Sequence, residues 1–226
     1  MSALAPRVRA RIRREAWLAG FGILGALWLA KEWAGALPGA SLILTLVVGL
    51  QLYGPIARIG RDGVSWESLG LRRDRWASDV SSLGLICLLT FPPYMLGFHL
   101  WKSELLGLAF VFRVPRDFLW TFLSQTLVLA LAEEVFFRGY LQERFDRVYP
   151  PRIRFWGAQL GWGLVISSVF FALAHFVGEW NPTRLAPFFP SFAFGFLRAR
   201  TGSIVAATSY HALCNALADL MFACYR

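Results

Sequence analysis

Hydrophobic residues along the chain fall into long runs that are separated by short polar and basic segments. The runs are continuous rather than alternating, which favours membrane-spanning helices over the strands of a β-barrel. There are seven such runs, at residues 16–36, 39–57, 77–101, 117–138, 155–177, 185–198 and 202–224. We therefore predict an all-α fold, a polytopic membrane helix bundle.

A further apolar run at 104–112 is too short to cross a bilayer alone, which takes about 20 residues. It either dips into the membrane interface or joins its neighbours as an eighth span. Basic clusters occur before the first run, in loop 58–76 and at 144–154. Seven crossings place all three clusters on the same side of the membrane, and the positive-inside rule identifies that side as the cytoplasm. Eight crossings would place the 144–154 cluster outside the cytoplasm, against the positive-inside rule. We therefore predict seven membrane-spanning helices and a cytoplasmic N-terminus.

The composition supports a membrane protein. Of the 226 residues, 57% are hydrophobic and 16% are charged, whereas a soluble domain has about 45–50% apolar and about 25% charged residues. Disorder is excluded because it requires low hydrophobicity. We predict one integrated domain, in which 1–116 supplies N-terminal spans with a basic cytoplasmic arm and loop, and 117–226 forms the membrane core.

The net charge of +9 comes mainly from arginines that flank apolar runs, as in membrane proteins. No zinc-finger spacing or aromatic RNA-binding motif accompanies them, so we expect no nucleic-acid partner. Ala34-Gly35-Ala36 resembles a signal-peptidase site, but Lys31 and Glu32 interrupt its approach, which predicts an uncleaved first span. The arginine-rich, short chain suggests a bacterial cytoplasmic (inner) membrane.

Two adjacent carboxylates, Glu133 and Glu134, end an uncharged stretch from Phe118 to Ala132. Ionisable groups inside a bilayer are costly and are therefore candidates for function. Glu134 lies four residues before Arg138, the favourable order for an ion pair on a helix. Glu133 is thus left as the uncommitted carboxylate, unless the helix ends there and both acids are solvated.

Two further spans carry polar side chains. Phe171 lies one helical turn before His175 and can shield its ring from lipid, while His211 and Asn215 share one face of the last span. Each feature alone is compatible with packing or with hydrogen bonding between helices. Together with Glu133 they supply a base, a water-positioning group and oxyanion donors, the groups that water-driven amide hydrolysis needs. The sequence has no GxSxG or HExxH motif that would indicate another hydrolase.

In this order, the three motifs resemble the CPBP family of intramembrane proteases, which comprises CAAX prenyl endopeptidases and bacteriocin-processing (Abi) proteins. The likeness covers about residues 117–220 and rests on Glu133-Glu134-x-x-x-Arg138, Phe171-x-x-x-His175 and His211-x-x-x-Asn215, with Arg138-Gly139-Tyr140-Leu141-Gln142 and Arg200-Thr201-Gly202-Ser203-Ile204 as further typical segments.

The resemblance implies catalytic roles for four residues. Glu133 is the expected general base on the attacking water, His175 positions that water, and His211 with Asn215 stabilises the oxyanion. Glu134, Arg138 and Phe171 are supporting residues.

No cofactor is expected. Glu133, His175 and His211 also form a conceivable zinc set, but no pair has the HExxH spacing, and the amide of Asn215 suits an oxyanion better than zinc. We therefore expect a glutamic peptidase without a metal.

We thus predict an intramembrane endopeptidase that acts near the membrane on a prenylated or CAAX-like protein, a peptide precursor or a C-terminal membrane anchor. The partners are this hydrophobic substrate and the lipid bilayer. The alternative is a small proton-coupled transporter that uses the same buried Glu and His residues. A catalytically inactive immunity or scaffold protein is disfavoured by the complete motif set.

One expectation conflicts with the others. If the span 155–177 begins at the inner face, His175 lies near the outer end, far from Glu133 at the inner end of its own span. The two residues can meet only if that span begins later, near residue 160, or if the site lies deeper in the membrane.

Overall fold

The computed structural model of the chain describes residues 5–33, 40–61, 63–72 and 74–226, and this part is mostly helical. Segment Ala34-Gly35-Ala36 and Arg73 lie outside the described residues. The helices are α1 (Pro6–Trp33), α2 (Ala40–Ile56), α3 (Trp76–Leu100, extended by a π-helical turn to Leu105), α4 (Phe118–Val148), α5 (Trp162–Phe176), α6 (Phe188–Thr201) and α7 (Val205–Ala223).

Two of these helices are long and apolar enough to cross a membrane by themselves, Trp76–Leu105 and Phe118–Val148. Two shorter helices, α2 and α5, are also apolar. Seven crossings therefore remain a prediction. The basic arm before the first apolar run is helical. It belongs to α1, which begins at Pro6, and proline is well suited to the first position of a helix.

The apolar run at 104–112 does not form an eighth helix, because no helix occurs between residues 106 and 117. This segment pairs with the C-terminus: the Ala109 N–H donates to the Arg226 carbonyl at 2.8 Å, and the Val111 N–H donates to the Cys224 carbonyl at 2.7 Å. Pairing with the chain end satisfies backbone groups that a helix would otherwise satisfy.

Helix α4 ends ten residues later than the predicted span 117–138, and this correction changes the position of Glu133 within its helix. It continues past Arg138 to Val148 because its arginines find acidic partners: Arg138 pairs with Glu134, and Arg144 pairs with Glu143. Glu133 therefore lies in the middle of α4, and a solvated helix end at that position is excluded.

The predicted span 155–177 was wrong at its beginning. A β-hairpin of strands β1 (Ile153–Phe155) and β2 (Ala158–Leu160) precedes α5, so the chain is not all-α. The two-residue loop Trp156-Gly157 has positive φ angles at both positions, as the type I′ turns of tight hairpins require. Because α5 starts at Trp162, His175 lies 13 residues from the start of its helix rather than 20 residues from the start of the predicted span.

Helix α4 is central and contacts α1, α2, α5 and α7. The loop after α2 folds back onto the bundle: Ser68 and Gly63 offer their carbonyl oxygens to Arg198 at 2.7 Å and to Arg147 at 2.8 Å. Leu69, in the same loop, is fully buried. This loop thereby connects the C-terminal ends of α4 and α6.

Candidate active site

Glu133 and Glu134 lie in a short α-helical segment of α4, Leu131–Glu134, that separates two π-helical segments. The flanking π-helical segments are Gln125–Ala130 and Val135–Gln142. Short π-helical insertions are rare and occur mostly at functional sites, since each turn with an additional residue rotates the following side chains. The irregular part of α4 thus coincides with the two carboxylates.

Glu134 and Arg138 form the predicted ion pair inside the protein. An Arg138 guanidinium nitrogen lies 3.0 Å from Glu134 Oε1, and both side chains are 0% exposed. The other terminal nitrogen of Arg138 donates to Ser191 Oγ at 2.7 Å and to the Ser191 carbonyl at 3.3 Å. The guanidinium also lies over the Phe171 ring, 4.4 Å from its centroid. A buried charge is tolerable only with such compensation.

His211 joins this ion pair from α7. Its Nδ1 lies 3.0 Å from Glu134 Oε1, the same oxygen that accepts from Arg138. The imidazole stacks on the ring of Phe194, with centroids 4.6 Å apart. Since a carboxylate oxygen in an ion pair accepts hydrogen bonds, Nδ1 carries the hydrogen and Nε2 faces the other way.

Glu133 lies on that other side of the His211 ring. Its Oε2 is 3.7 Å from His211 Nε2, beyond direct hydrogen-bond distance. This oxygen is buried and has no hydrogen-bond partner among the described residues, although the side chain as a whole is 12% exposed. Of the two carboxylates, Glu134 is thus committed to Arg138 and His211, and Glu133 is uncommitted.

His175 is held by its own helix. Its Nδ1 lies 2.9 Å from the Phe171 carbonyl oxygen, which can only accept, so Nδ1 is the protonated nitrogen and Nε2 keeps its lone pair. The Phe171 ring lies between the two histidines, 4.6 Å from the His175 ring and 5.6 Å from the His211 ring. Phe171 therefore contacts both imidazoles.

Asn215 lies one helical turn after His211 on α7 and is half-buried. Among the described residues, no hydrogen bond joins Asn215 or His175 to Glu133. The structure thus brings Glu133, Glu134, Arg138 and His211 into one cluster and links His175 to it through Phe171. The amide of Asn215 has no hydrogen-bond partner in the described part of the chain.

The corrected helix bounds change where Glu133 and His175 lie along their helices. Glu133 is 15 residues from the C-terminal end of α4, and His175 is 13 residues from the start of α5. At 1.5 Å per residue, each of these separations is about 20 Å. Helix α5 packs against the C-terminal half of α4, from Val135 to Val148, and a common depth of Glu133 and His175 stays a prediction.

Lys31 is a residue of this site that the sequence did not reveal. From the end of α1, its Nζ donates to the carbonyl oxygens of Ala174 at 3.3 Å and His175 at 3.2 Å, and it lies 3.5 Å from Glu179 Oε1. Although partial burial opposes the effect, the hydrogen bond from Arg184 and the charges of Lys31 and Arg184 hold the pKa of Glu179 below its usual value. Lys31 therefore caps the last turn of the helix that carries His175.

Ser191 and Phe194 of α6 were also missed. Both lie in a phenylalanine-rich helix, and neither belongs to a motif that would mark it before its contacts with Arg138 and His211 are known.

The zinc set considered from the sequence is not assembled as a metal site. Within the described ranges, no group of three or more His, Cys, Asp or Glu side chains is arranged to hold a metal ion. Hydrolysis without a cofactor stays a prediction.

Comparison with known families adds a finding that agrees with this geometry. Residues 115–217 match the family described as Rce1-like, type II CAAX prenyl endopeptidase Rce1-like. The matched segment begins just before α4 and ends within α7, so it contains every motif of the cluster. No curated protein and no solved structure was found to match the chain. The resemblance to the CPBP proteases is thereby confirmed.

Proposed function

The segment 115–217 of this membrane protein is that of a CAAX-type protease family, and from this premise we propose an intramembrane endopeptidase that cleaves with a glutamate-activated water. The substrate is a hydrophobic or membrane-anchored polypeptide, such as a prenylated CAAX-like protein, a peptide precursor or a C-terminal anchor. We further propose that the protein lies in a bacterial inner membrane with its N-terminus in the cytoplasm.

The observation that carries this proposal is the asymmetry between the two carboxylates. Arg138 and His211 both bind Glu134 Oε1, whereas none of the described residues donates a hydrogen bond to Glu133, although the Oε2 atoms of both carboxylates are buried without a partner. A buried carboxylate that lacks partners is costly, and a water molecule is the natural partner for it. Glu133 is thus the carboxylate that can accept a proton from water.

His175 supplies a second acceptor for the same water. Because its Nδ1–H donates to the Phe171 carbonyl, its Nε2 is an open lone pair. A water that donates one hydrogen to Glu133 and the other to His175 is oriented with its own lone pair toward a substrate carbonyl carbon. Its attack forms the tetrahedral intermediate, and the proton taken by Glu133 passes to the leaving amine.

His211 and Asn215 are the proposed donors to the oxyanion. His211 Nδ1–H is engaged with Glu134, so donation from Nε2 requires the doubly protonated ring. Glu133 and Glu134 flank that ring on its two nitrogens, with Glu134 at Nδ1 and Glu133 on the side of Nε2. Glu134 and Arg138 then act as positioning residues for His211 rather than on the substrate.

Replacement of Glu133 tests the proposal. Glu133→Gln keeps the size of the side chain but removes the base, so cleavage of a fluorogenic prenylated peptide should be abolished while the thermal unfolding temperature stays near that of the wild type. Glu104→Gln, at an exposed position, is the matched control and should cleave normally. Asn215→Ala should lose about 10²–10³ in rate, the usual cost of one oxyanion donor, and retain measurable turnover.

Membranes with wild-type and Glu133→Gln protein should differ in their peptide and lipoprotein content, and this difference identifies the substrate class. Retained turnover in Glu133→Gln would remove that residue from its role. The family match gives no support to the transporter alternative, which would be favoured by proton flux that is lost in Glu133→Gln without any proteolysis.

A further inference from the structure

A large cavity lies away from the glutamate cluster, where the inner end of α4 meets the β-hairpin. Its volume is about 1130 Å³. It is bounded by the start of α1, the segment from Val148 to Leu160, the start of α5 and one face of α6. Ligand sites for drug-sized molecules are usually about 300–1,000 Å³, so this cavity has room for a larger, chain-like molecule.

The walls of the cavity are apolar and rich in aromatic rings. The aromatic lining residues are Tyr149, Phe155, Trp156, Trp162, Phe192 and Phe196, and aliphatic side chains such as Ile86 and Val165 fill the spaces between them. Trp156 and Trp162 are more than half exposed. Exposed tryptophans of membrane proteins are concentrated at the level of the lipid headgroups.

The only charges on the cavity wall within the described part of the chain are three arginines, Arg9 and Arg13 of α1 and Arg152 before the hairpin. All three are exposed, and no aspartate or glutamate lines the cavity. An apolar chamber with an uncompensated cationic rim is complementary to a molecule with hydrocarbon chains and an anionic head. Basic pockets between helices on the cytoplasmic side of a membrane bind such lipid headgroups.

We propose that this cavity binds an anionic phospholipid of the cytoplasmic leaflet. The acyl chains enter between the hairpin and α6, and the phosphate contacts Arg9, Arg13 and Arg152, which bridges α1 to the hairpin. The assignment to the cytoplasmic leaflet rests on the orientation given under the proposed function, and the site itself does not depend on catalysis.

The experiment measures lipid binding to the detergent-purified full-length protein by native mass spectrometry, with phosphatidylglycerol and phosphatidylcholine of equal chain length. Phosphatidylglycerol should bind preferentially. The triple variant Arg9→Gln/Arg13→Gln/Arg152→Gln should bind it about fivefold more weakly for each arginine, on the order of 100-fold in all. Arg7→Gln/Arg14→Gln/Arg154→Gln changes the net charge equally on the same two elements but outside the cavity, and should bind like the wild type.

A chain-length series tests the cavity without altering the protein. Dihexanoyl phosphatidylglycerol has the same head as the long-chain lipid, so its binding should be weaker by more than about tenfold if the chains are enclosed. Equal binding of the two chain lengths, equal binding of the two headgroups, or equal loss in both triple variants would overturn the proposal. Displacement of the lipid by a prenylated substrate peptide would do so as well, by assigning the cavity to substrate.

Binding by Glu133→Gln separates this inference from the proposed function. That variant should retain phosphatidylglycerol as the wild type does, because Glu133 does not line the cavity. If cleavage proves not to depend on Glu133, the lipid measurement still stands by itself.

Discussion

The buried ion pair of Glu134 and Arg138 determines how the polar cluster is held. One oxygen of Glu134 accepts from both Arg138 and His211, and Arg138 also binds Ser191. Removal of one partner from such a pair leaves an uncompensated buried charge, which typically costs 3–5 kcal/mol. The folded protein therefore depends on both partners being present, and the pair orients His211.

Arg138→Met is accordingly expected to lower the free energy of unfolding by roughly 3–5 kcal/mol, measured by thermal or denaturant unfolding in detergent. Arg116→Met, at an exposed position, should change it by less than about 0.5 kcal/mol. The double variant Glu134→Leu/Arg138→Met should recover part of the lost stability, because both charges are gone, but not the activity, because His211 loses its partner. Equal stability of the Arg138 and Arg116 variants would contradict this account.

At the scale of elements, the end of α1 supports the end of α5. Lys31 binds two carbonyl oxygens in the last turn of α5, including that of His175, and Glu179 with Arg184 closes the contact from the following loop. The last carbonyls of a helix have no partner within the helix, so a lysine from another helix stabilises them directly. Lys31 thereby acts on His175 by positioning it.

Lys31→Met should allow the last turn of α5 to fray, at a cost of about 0.5–1.5 kcal/mol. We expect faster amide exchange near residue 175 and about a tenfold lower kcat with little change in KM, since the water-positioning histidine is displaced rather than removed. Lys31→Arg should restore most of the rate. Lys102→Met, which alters the only other lysine, should leave the exchange near residue 175 unchanged.

Acidification should loosen the same contact. The folded-state pKa of Glu179 is lowered, so its contribution is present above the unfolded pKa and is lost as the pH falls through the folded value. The protection of amides in the loop after α5, measured relative to their intrinsic exchange rates at each pH, should therefore fall at acidic pH in the wild type and change less in Lys31→Met.

At the scale of the whole molecule, contacts between helix ends agree with alternating crossings. The end of α1 meets the end of α5, and the segment at 110 pairs with the C-terminus. The loop after α2 binds Arg147 and Arg198, which lie near the C-terminal ends of α4 and α6. With the N-terminus in the cytoplasm, the hairpin lies inside and the loop at 177–187 lies outside.

Cysteine labelling of intact cells tests this orientation in the full-length chain. With Cys87, Cys214 and Cys224 replaced by serine, a membrane-impermeant maleimide should label Ala186→Cys in intact cells. It should label Gln159→Cys only after lysis, since both positions are exposed in the fold but on opposite sides of the membrane. The reverse pattern would invert the orientation and with it the leaflet of the proposed lipid site.

Local regularities of the sequence determined the helical fold and part of the site. Apolar runs indicated the positions of the helices because hydrocarbon requires continuous apolar segments, and the spacing of Glu134 and Arg138 predicted their ion pair because neighbours four apart meet on any helix. The same reasoning left Glu133 without a partner. The hairpin was missed since a short apolar strand and a helix start cannot be distinguished by hydrophobicity alone.

Contacts between distant residues were decided by the tertiary structure alone. Glu134 and His211 are 77 residues apart, Arg138 and Ser191 are 53 apart, and Lys31 and His175 are 144 apart. No periodicity links such pairs, because their meeting depends on how long each helix is and where it crosses its neighbours. The length of α4 depends on arginines whose partners become known only when the helices are packed, and the late start of α5 depends on the hairpin that precedes it.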